Sequence, residues 1–125
     1  MNVLENAKIL VIDDTPSIRT FLRISMTDYG AVFLEAATAG EGQALSTEEK
    51  PDVIILDLGL PDRDGLDLLP DLLASGDEDT PKIVVLSVRS DRRTRELAYE
   101  RGANGYVTKP FIMEDLIETI ESVIN

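Results

Sequence analysis

The sequence predicts an α/β domain in which a strand–helix unit repeats five times around a parallel sheet with helices on both faces. Two observations carry this. Short β-rich runs alternate with segments of helical periodicity along the whole chain. Two of those runs, Val53–Leu56 (VIIL) and Ile83–Leu86 (IVVL), are apolar throughout, as strands covered on both faces are. The crossovers between parallel strands are expected to be right-handed.

In chain order, Lys8–Ile12 (KILVI) reads as the first strand. Thr15 is placed as the N-cap of the first helix, with Pro16 at its first position. Ile18, Phe21, Leu22, Ser25, Met26 and Tyr29 recur at helical spacing, and Gly30 stops the run. Ala31–Ala36 (AVFLEA) is the second strand, with Val32 and Leu34 as its apolar face. Thr38 and Glu41 form a capping box for a second helix that Gly40 and Gly42 weaken. The third strand is Val53–Leu56. Asp64 caps a third helix with Leu66, Leu69 and Leu73 on one side, and Pro70 predicts a kink or early end. After the fourth strand, Ser90 caps a fourth helix ending at Gly102. Its apolar stripe is thin, essentially Leu97, Ala98 and Tyr99, which marks it as a candidate moving part. Gly105–Val107 is the fifth strand. The fifth helix follows Pro110 and turns Leu116, Ile117, Ile120 and Ile124 to the core.

A length of 125 residues suits one domain, 1–125, and 43% hydrophobic residues suffice for an ordinary core. The net charge is −12, from 24 acids against 12 Lys and Arg. That balance argues against direct binding of nucleic acid and favours a basic partner surface or divalent cations. With no Cys and no His, thiolate chemistry and the commonest general base are excluded. Carboxylates, hydroxyls, Lys and backbone groups remain. MNVLENAKIL has no long apolar core of a signal peptide, and no apolar run is long enough to span a bilayer, so a soluble cytoplasmic protein without membrane contact is the expectation.

Ligands of such sheets bind at the carboxyl ends of the strands. Asp13 and Asp14 follow the first strand, Asp57 the third, Ser87 the fourth, and Thr108 and Lys109 the fifth; the second ends in Glu35-Ala36-Ala37, with no comparable group. Three carboxylates therefore converge at one rim. Two unit charges 4 Å apart repel by about 4 kcal/mol at an effective dielectric of 20. Either a divalent cation or protonation must relieve them. An all-oxygen donor set points to Mg²⁺, ahead of Mn²⁺ or Ca²⁺, and Mn²⁺ is a substitute of the same chemistry. A cation, an ammonium and a hydroxyl around one carboxylate suit phosphoryl transfer. Asp57 is then the natural nucleophile, since carboxylates form aspartyl phosphates and the two acids after the first strand are better placed as ligands.

At these residues the chain resembles the receiver domain of bacterial two-component response regulators, of the chemotaxis-regulator type. The carrying motifs are VIDD (Val11–Asp14), ILDLGLPDRDG (Ile55–Gly65), VVLS (Val84–Ser87) and GYVTKPF (Gly105–Phe111). Each alone is weak; four in order at the ends of the right strands are specific. The resemblance spans Lys8 to Asn125. It implies a flavodoxin-like fold with strand order 2-1-3-4-5, and a phosphoryl group received by Asp57 from a phosphohistidine of a sensor histidine kinase or a phosphotransfer protein. It implies Mg²⁺ held directly by Asp14, Asp57 and the backbone carbonyl of Gly59, with Asp13 acting through water. Ser87 would donate to a phosphoryl oxygen and Lys109 would pair with the group. Tyr106 would turn inward when Ser87 moves, as a rotameric switch. The Lys109–Pro110 peptide would be cis. Output would pass through the face of the fourth helix, fifth strand and fifth helix to a partner protein or a C-terminal effector domain, such as that of winged-helix transcription factors. A homodimer formed on phosphorylation is compatible with this.

Two positions depart from the common pattern. Gly59 stands where a larger side chain is frequent and should open the pocket. Val88 stands where Ala or Gly is usual and should crowd it, slowing phosphotransfer and attack by water. Arg89 is placed to reach the pocket edge, so all three bear on rate. Asp62 and Asp64 read as turn and cap residues, and Arg92, Arg93 and Arg95 as a solvated helix face. Two other functions compete with a self-phosphorylating switch that has no turnover on an external substrate. A haloacid-dehalogenase-type phosphatase needs its nucleophile after the first strand in a DxD pattern and a cap insertion, neither of which is present. A phosphorylation-independent binding module would not need Asp14, Asp57 and Lys109 intact.

Overall fold

The computed structural model describes residues 2–74 and 80–124. The elements alternate as β1 (Lys8–Ile12), α1 (Pro16–Asp28), β2 (Val32–Ala36), α2 (Ala39–Glu49), β3 (Val53–Leu56), α3 (Gly65–Leu72), β4 (Lys82–Ser87), α4 (Arg92–Glu100), β5 (Gly105–Thr108) and α5 (Met113–Ile124). All strand pairs are parallel, in the order β2-β1-β3-β4-β5. This is the flavodoxin-like arrangement, and its direction reverses between β1 and β3.

Alternation along the strands builds two cores, because successive side chains leave opposite faces of a sheet. Leu10, Ile12, Ile54, Leu56, Ile83 and Val85 face Ala39 of α2, Leu68 and Leu69 of α3 and Ala98 of α4. Ile9, Val11, Val53, Ile55, Val84 and Leu86 face Leu22 and Met26 of α1 and Leu116, Ile117 and Ile120 of α5. The continuously apolar runs are thus divided between the two cores. Gly42 lets α2 close on β1: a Cβ there would sit 2.5 Å from Ile12 Cδ1. The glycine that weakens helical propensity is the one that close packing requires.

Several local expectations change. The second strand begins at Val32, and Val32 is exposed; Leu34 and Phe33 each pack against one core, because β2 is an edge strand with helices on both sides. Thr15 opens α1 without a side-chain bond, and Asp13 Oδ1 accepts the Thr15 amide at 2.9 Å instead. Phe21 and Tyr29 of the expected α1 stripe are largely exposed. Pro70 lies inside α3 and does not break it at that point; the helix ends two residues later, at Leu72, and the buried stripe is Leu66, Leu68, Leu69 and Leu72, with Leu73 only partly covered. The cap of α4 is Asp91, not Ser90: its carboxylate accepts the Thr94 amide at 3.0 Å and the Thr94 hydroxyl at 2.8 Å, because the backbone turns into the helix one residue later than Ser90. The fifth helix starts at Met113, later than Pro110 suggested. No helix among the described residues is long and apolar enough to cross a membrane.

Candidate functional site

The site forms where β1 and β3 end side by side, at the switch in strand order. Ile12 is paired with Leu56, and the Asp57 amide donates to the Ile12 carbonyl at 2.9 Å, which sets Asp57 beside Asp13. The Asp13 amide donates in turn to Ala36 at 3.0 Å. Gly65 keeps the start of α3 against the strand end, since a Cβ there would lie 2.7 Å from the Asp57 carbonyl oxygen and from Leu58 Cα. On the other side, Ser87 ends β4 opposite Thr108, and the Lys109 amide donates to the Ser87 carbonyl at 2.8 Å. The sheet ladder therefore holds the backbone of all four candidate positions.

The side chains converge as the strand ends require. One carboxylate oxygen from each of Asp13, Asp14 and Asp57 lies within 4.8 Å of the others. Lys109 Nζ is 2.8 Å from Asp13 Oδ2 and 3.8 Å from Asp57 Oδ2. Asp13 and Asp57 are buried, whereas Asp14 opens to solvent. Burial, and after it the negative charge of Asp13, hold the Asp57 carboxyl above its ordinary value, against the pull of Lys109 and of the Gly59 amide. Three carboxylates against one ammonium leave the rim formally short of positive charge. A donor set of carboxylate oxygens, in a chain without His or Cys, fits a hard divalent cation such as Mg²⁺.

The remaining predicted residues lie around this rim. The Gly59 amide donates to Asp57 Oδ1 at 3.3 Å, and a Cβ at Gly59 would meet nothing within 4 Å, so this side is open. Ser87 is 1% exposed, and its Oγ accepts the Arg89 amide at 3.2 Å. Tyr106 lies inward, and its hydroxyl donates to the Arg89 carbonyl at 2.6 Å. Burial pushes its phenol up. The Lys109–Pro110 peptide is cis. Val88 is 72% exposed; with Ile18, Phe21, Pro110 and Phe111 it lines an open apolar hollow of about 430 Å³ that Lys109 also borders.

Three contacts carry no local sequence signal. The Asp62 carboxylate accepts the Ala39 and Gly40 amides at 2.9 and 3.0 Å, so it caps α2 from the β3–α3 loop; these bonds hold its carboxyl below the ordinary value. Arg95 does not merely face solvent: its guanidinium carbon lies 5.0 Å from the centre of the Tyr106 ring. Arg89 pairs with Asp64 at 3.2 Å. Asp64 also caps α3 through the Leu66 amide at 2.9 Å, as its sequence position indicated.

The family model "Response regulator receiver domain" matches residues 9–121. The transcriptional regulatory protein KdpE of Mycobacterium tuberculosis is 40% identical over 116 residues, which are 93% of this chain and 50% of that protein. Protein PilH of Pseudomonas aeruginosa is 29% identical over 94% of this chain and 98% of its own length. Among solved structures, the chemotaxis protein CheY4 of Vibrio cholerae superposes with a TM-score of 0.87 at 28% identity, covering 94% of this chain and 98% of that one. The chain spans about half the length of KdpE and nearly all of PilH, so the shared unit is this domain. Strand order, the rim of acids and the family match over nearly the whole chain agree: the protein belongs to the response regulator receiver domains of two-component signalling.

Proposed function

We propose that the chain is a phosphorylation-driven switch that takes a phosphoryl group onto Asp57 from the phosphohistidine of a sensor kinase or phosphotransfer protein. The observation that carries this is the convergence of Asp13, Asp14, Asp57 and Lys109 on the end of a buried strand. An Asp57 oxygen attacks phosphorus; the new O–P bond forms as the N–P bond breaks, and the imidazole leaves with the electron pair and takes up a proton. Asp14, Asp57 and the Gly59 carbonyl would hold Mg²⁺ directly and Asp13 through water, a role that leaves Asp13 its ion pair with Lys109. Bound there, Mg²⁺ (or Mn²⁺) supplies positive charge to the non-bridging oxygens. Lys109 neutralises a further oxygen, and Ser87 donates its hydroxyl proton to another. Loss of the group is hydrolysis: a water oxygen attacks phosphorus, the bond from Asp57 to phosphorus breaks with its electron pair returning to the carboxylate, and inorganic phosphate leaves, so the domain catalyses only its own phosphorylation and dephosphorylation.

A dianion on Asp57 draws on Ser87 and Lys109 and shifts the population of the Tyr106 side chain and of the α4–β5–α5 face. That face passes the signal to an output protein or a C-terminal effector, and it is a candidate surface for a phosphorylation-dependent homodimer. The role named for the KdpE relatives, transcriptional regulation, supports an effector joined to such a domain. The acidic surface, net −12, assigns any nucleic-acid contact to that effector and suits a cytoplasmic protein with no membrane contact. The apolar hollow beside Lys109 is a candidate contact surface for the phosphodonor protein.

Incubation with acetyl phosphate and Mg²⁺, followed by intact mass, is expected to give a single phosphate adduct. Steady phosphate release from varied monoesters would mark a phosphatase instead, and an inert chain a binding module. Val88 adds a test of rate. Replacing it with alanine should speed both adduct formation and hydrolysis; because the side chain stands at the outer rim, the gain is at most severalfold, and unchanged rates of both steps would remove its role.

A further inference from the structure

Arg89 joins the two loops that flank the site. Its amide donates to Ser87 Oγ at 3.2 Å, and its carbonyl accepts the Tyr106 hydroxyl. Its guanidinium reaches across to the β3–α3 loop, with Nη1 and Nη2 3.4 and 3.2 Å from the two oxygens of Asp64. Asp64 caps α3 and faces Gly59 in an antiparallel bridge. One connected path of polar contacts therefore runs from Ser87 and Tyr106 to the turn that carries Gly59.

We propose that the Arg89–Asp64 pair is a tie that positions the Ser87 hydroxyl. A serine hydroxyl has one proton and two lone pairs. The Arg89 amide engages a lone pair, so the Oγ–H is turned away from that amide; the Ser87 side chain is also hydrogen-bonded with the Tyr106 hydroxyl, and a phosphoryl oxygen on Asp57 would compete for that same proton. Where the amide stands depends on the β4–α4 loop, and the two-point contact of the guanidinium with Asp64 fixes that loop to the cap of α3. Arg89 thus acts through its own main chain, as a positioning residue, and Asp64 is its anchor. This rests on the reading that Ser87 donates to a phosphoryl oxygen on Asp57. Both side chains of the pair are 37% exposed, so the effect is modest and falls with salt.

The test compares rates of Asp57 adduct formation from acetyl phosphate and Mg²⁺, by intact mass, for the wild type, Arg89→Ala, Arg89→Lys, Asp64→Asn and the double variant Arg89→Ala/Asp64→Asn. Asparagine keeps the helix cap while removing the charge. Arg89→Ala and Asp64→Asn should each slow the reaction by about threefold at low salt. The double variant should be no slower than either single, because both remove the same contact. Arg89→Lys should recover part of the rate, and the differences should shrink as salt approaches about 1 M. If Arg89 only attracted the anionic donor, freeing it from Asp64 would make Asp64→Asn faster than the wild type. A faster Asp64→Asn, additive losses, or variants that match a reactive wild type would each overturn the tie alone. A wild type that forms no adduct would remove the phosphoryl reading, and the tie with it.

Discussion

Replacing Asp57 with asparagine is expected to abolish the phosphate adduct while making the protein more stable. The amide cannot attack phosphorus, so loss of the adduct is complete. The gain in stability follows from where the carboxylate sits. Asp57 is 7% exposed, beside Asp13, with Lys109 shared between the two at 2.8 and 3.8 Å. Burial and then Asp13 raise its proton affinity in the folded chain above the ordinary value of 3.8. Between that value and the raised one, the folded chain holds a proton that the unfolded chain has released. Stability therefore falls as pH rises through the folded value and is regained as pH falls through it. Asparagine removes this slope. At neutral pH without divalent cations we expect a gain of about 1 kcal/mol, read as a rise of about 3–5 °C in melting temperature for a domain of this size. A lower melting temperature at pH 7, or a pH slope that survives the substitution, would show that Asp57 is not strained by its neighbours.

Lys109→Ala should lower stability instead, and it too should impair adduct formation. Its ammonium pairs with both Asp13 and Asp57, and its side chain is 13% exposed. Removing one partner of a buried pair leaves the other charge uncompensated, which costs about 3 kcal/mol. The expected result is a melting temperature lower by about 10 °C and adduct formation slowed by two orders of magnitude or so, since the transferred oxygens lose a fixed positive charge. Mg²⁺ should restore much of the stability of Lys109→Ala: a ligand at 100 times its Kd contributes about 2.7 kcal/mol. The same addition should do far less for Asp57→Asn, which lacks one of the proposed ligands. Thermal melts of the three proteins with and without Mg²⁺ check both statements. Equal shifts in all three would place the cation elsewhere.

The fold was legible because its signals are local and strong. The runs at 53–56 and 83–86 can be read as buried strands without knowing their neighbours, and they prove to be β3 and the middle of β4. The acids and Lys109 were legible because each lies within two residues of the carboxyl end of an expected strand, and a parallel sheet brings like ends of its strands together. Contacts set by loop geometry were not legible. Nothing near Asp62 in the chain says that it caps α2, and nothing near Arg89 says that its partner lies 25 residues away. Ser90 and Asp91 are both good caps, and only the backbone decides between them. Val32 and Leu34 alternate as a half-buried strand should, but an edge strand between helices on both faces leaves Val32 uncovered.

The reactive rim draws on the ends of β1, β3, β4 and β5, so its parts are spread from Asp13 to Lys109 and meet only in the finished sheet. No fragment lacking the last strand carries the ammonium, and none lacking the first carries the partner acids. On the proposed function, a nascent or partly unfolded chain would thereby be silent, and competence to receive a phosphoryl group would double as a proof that the molecule has been assembled.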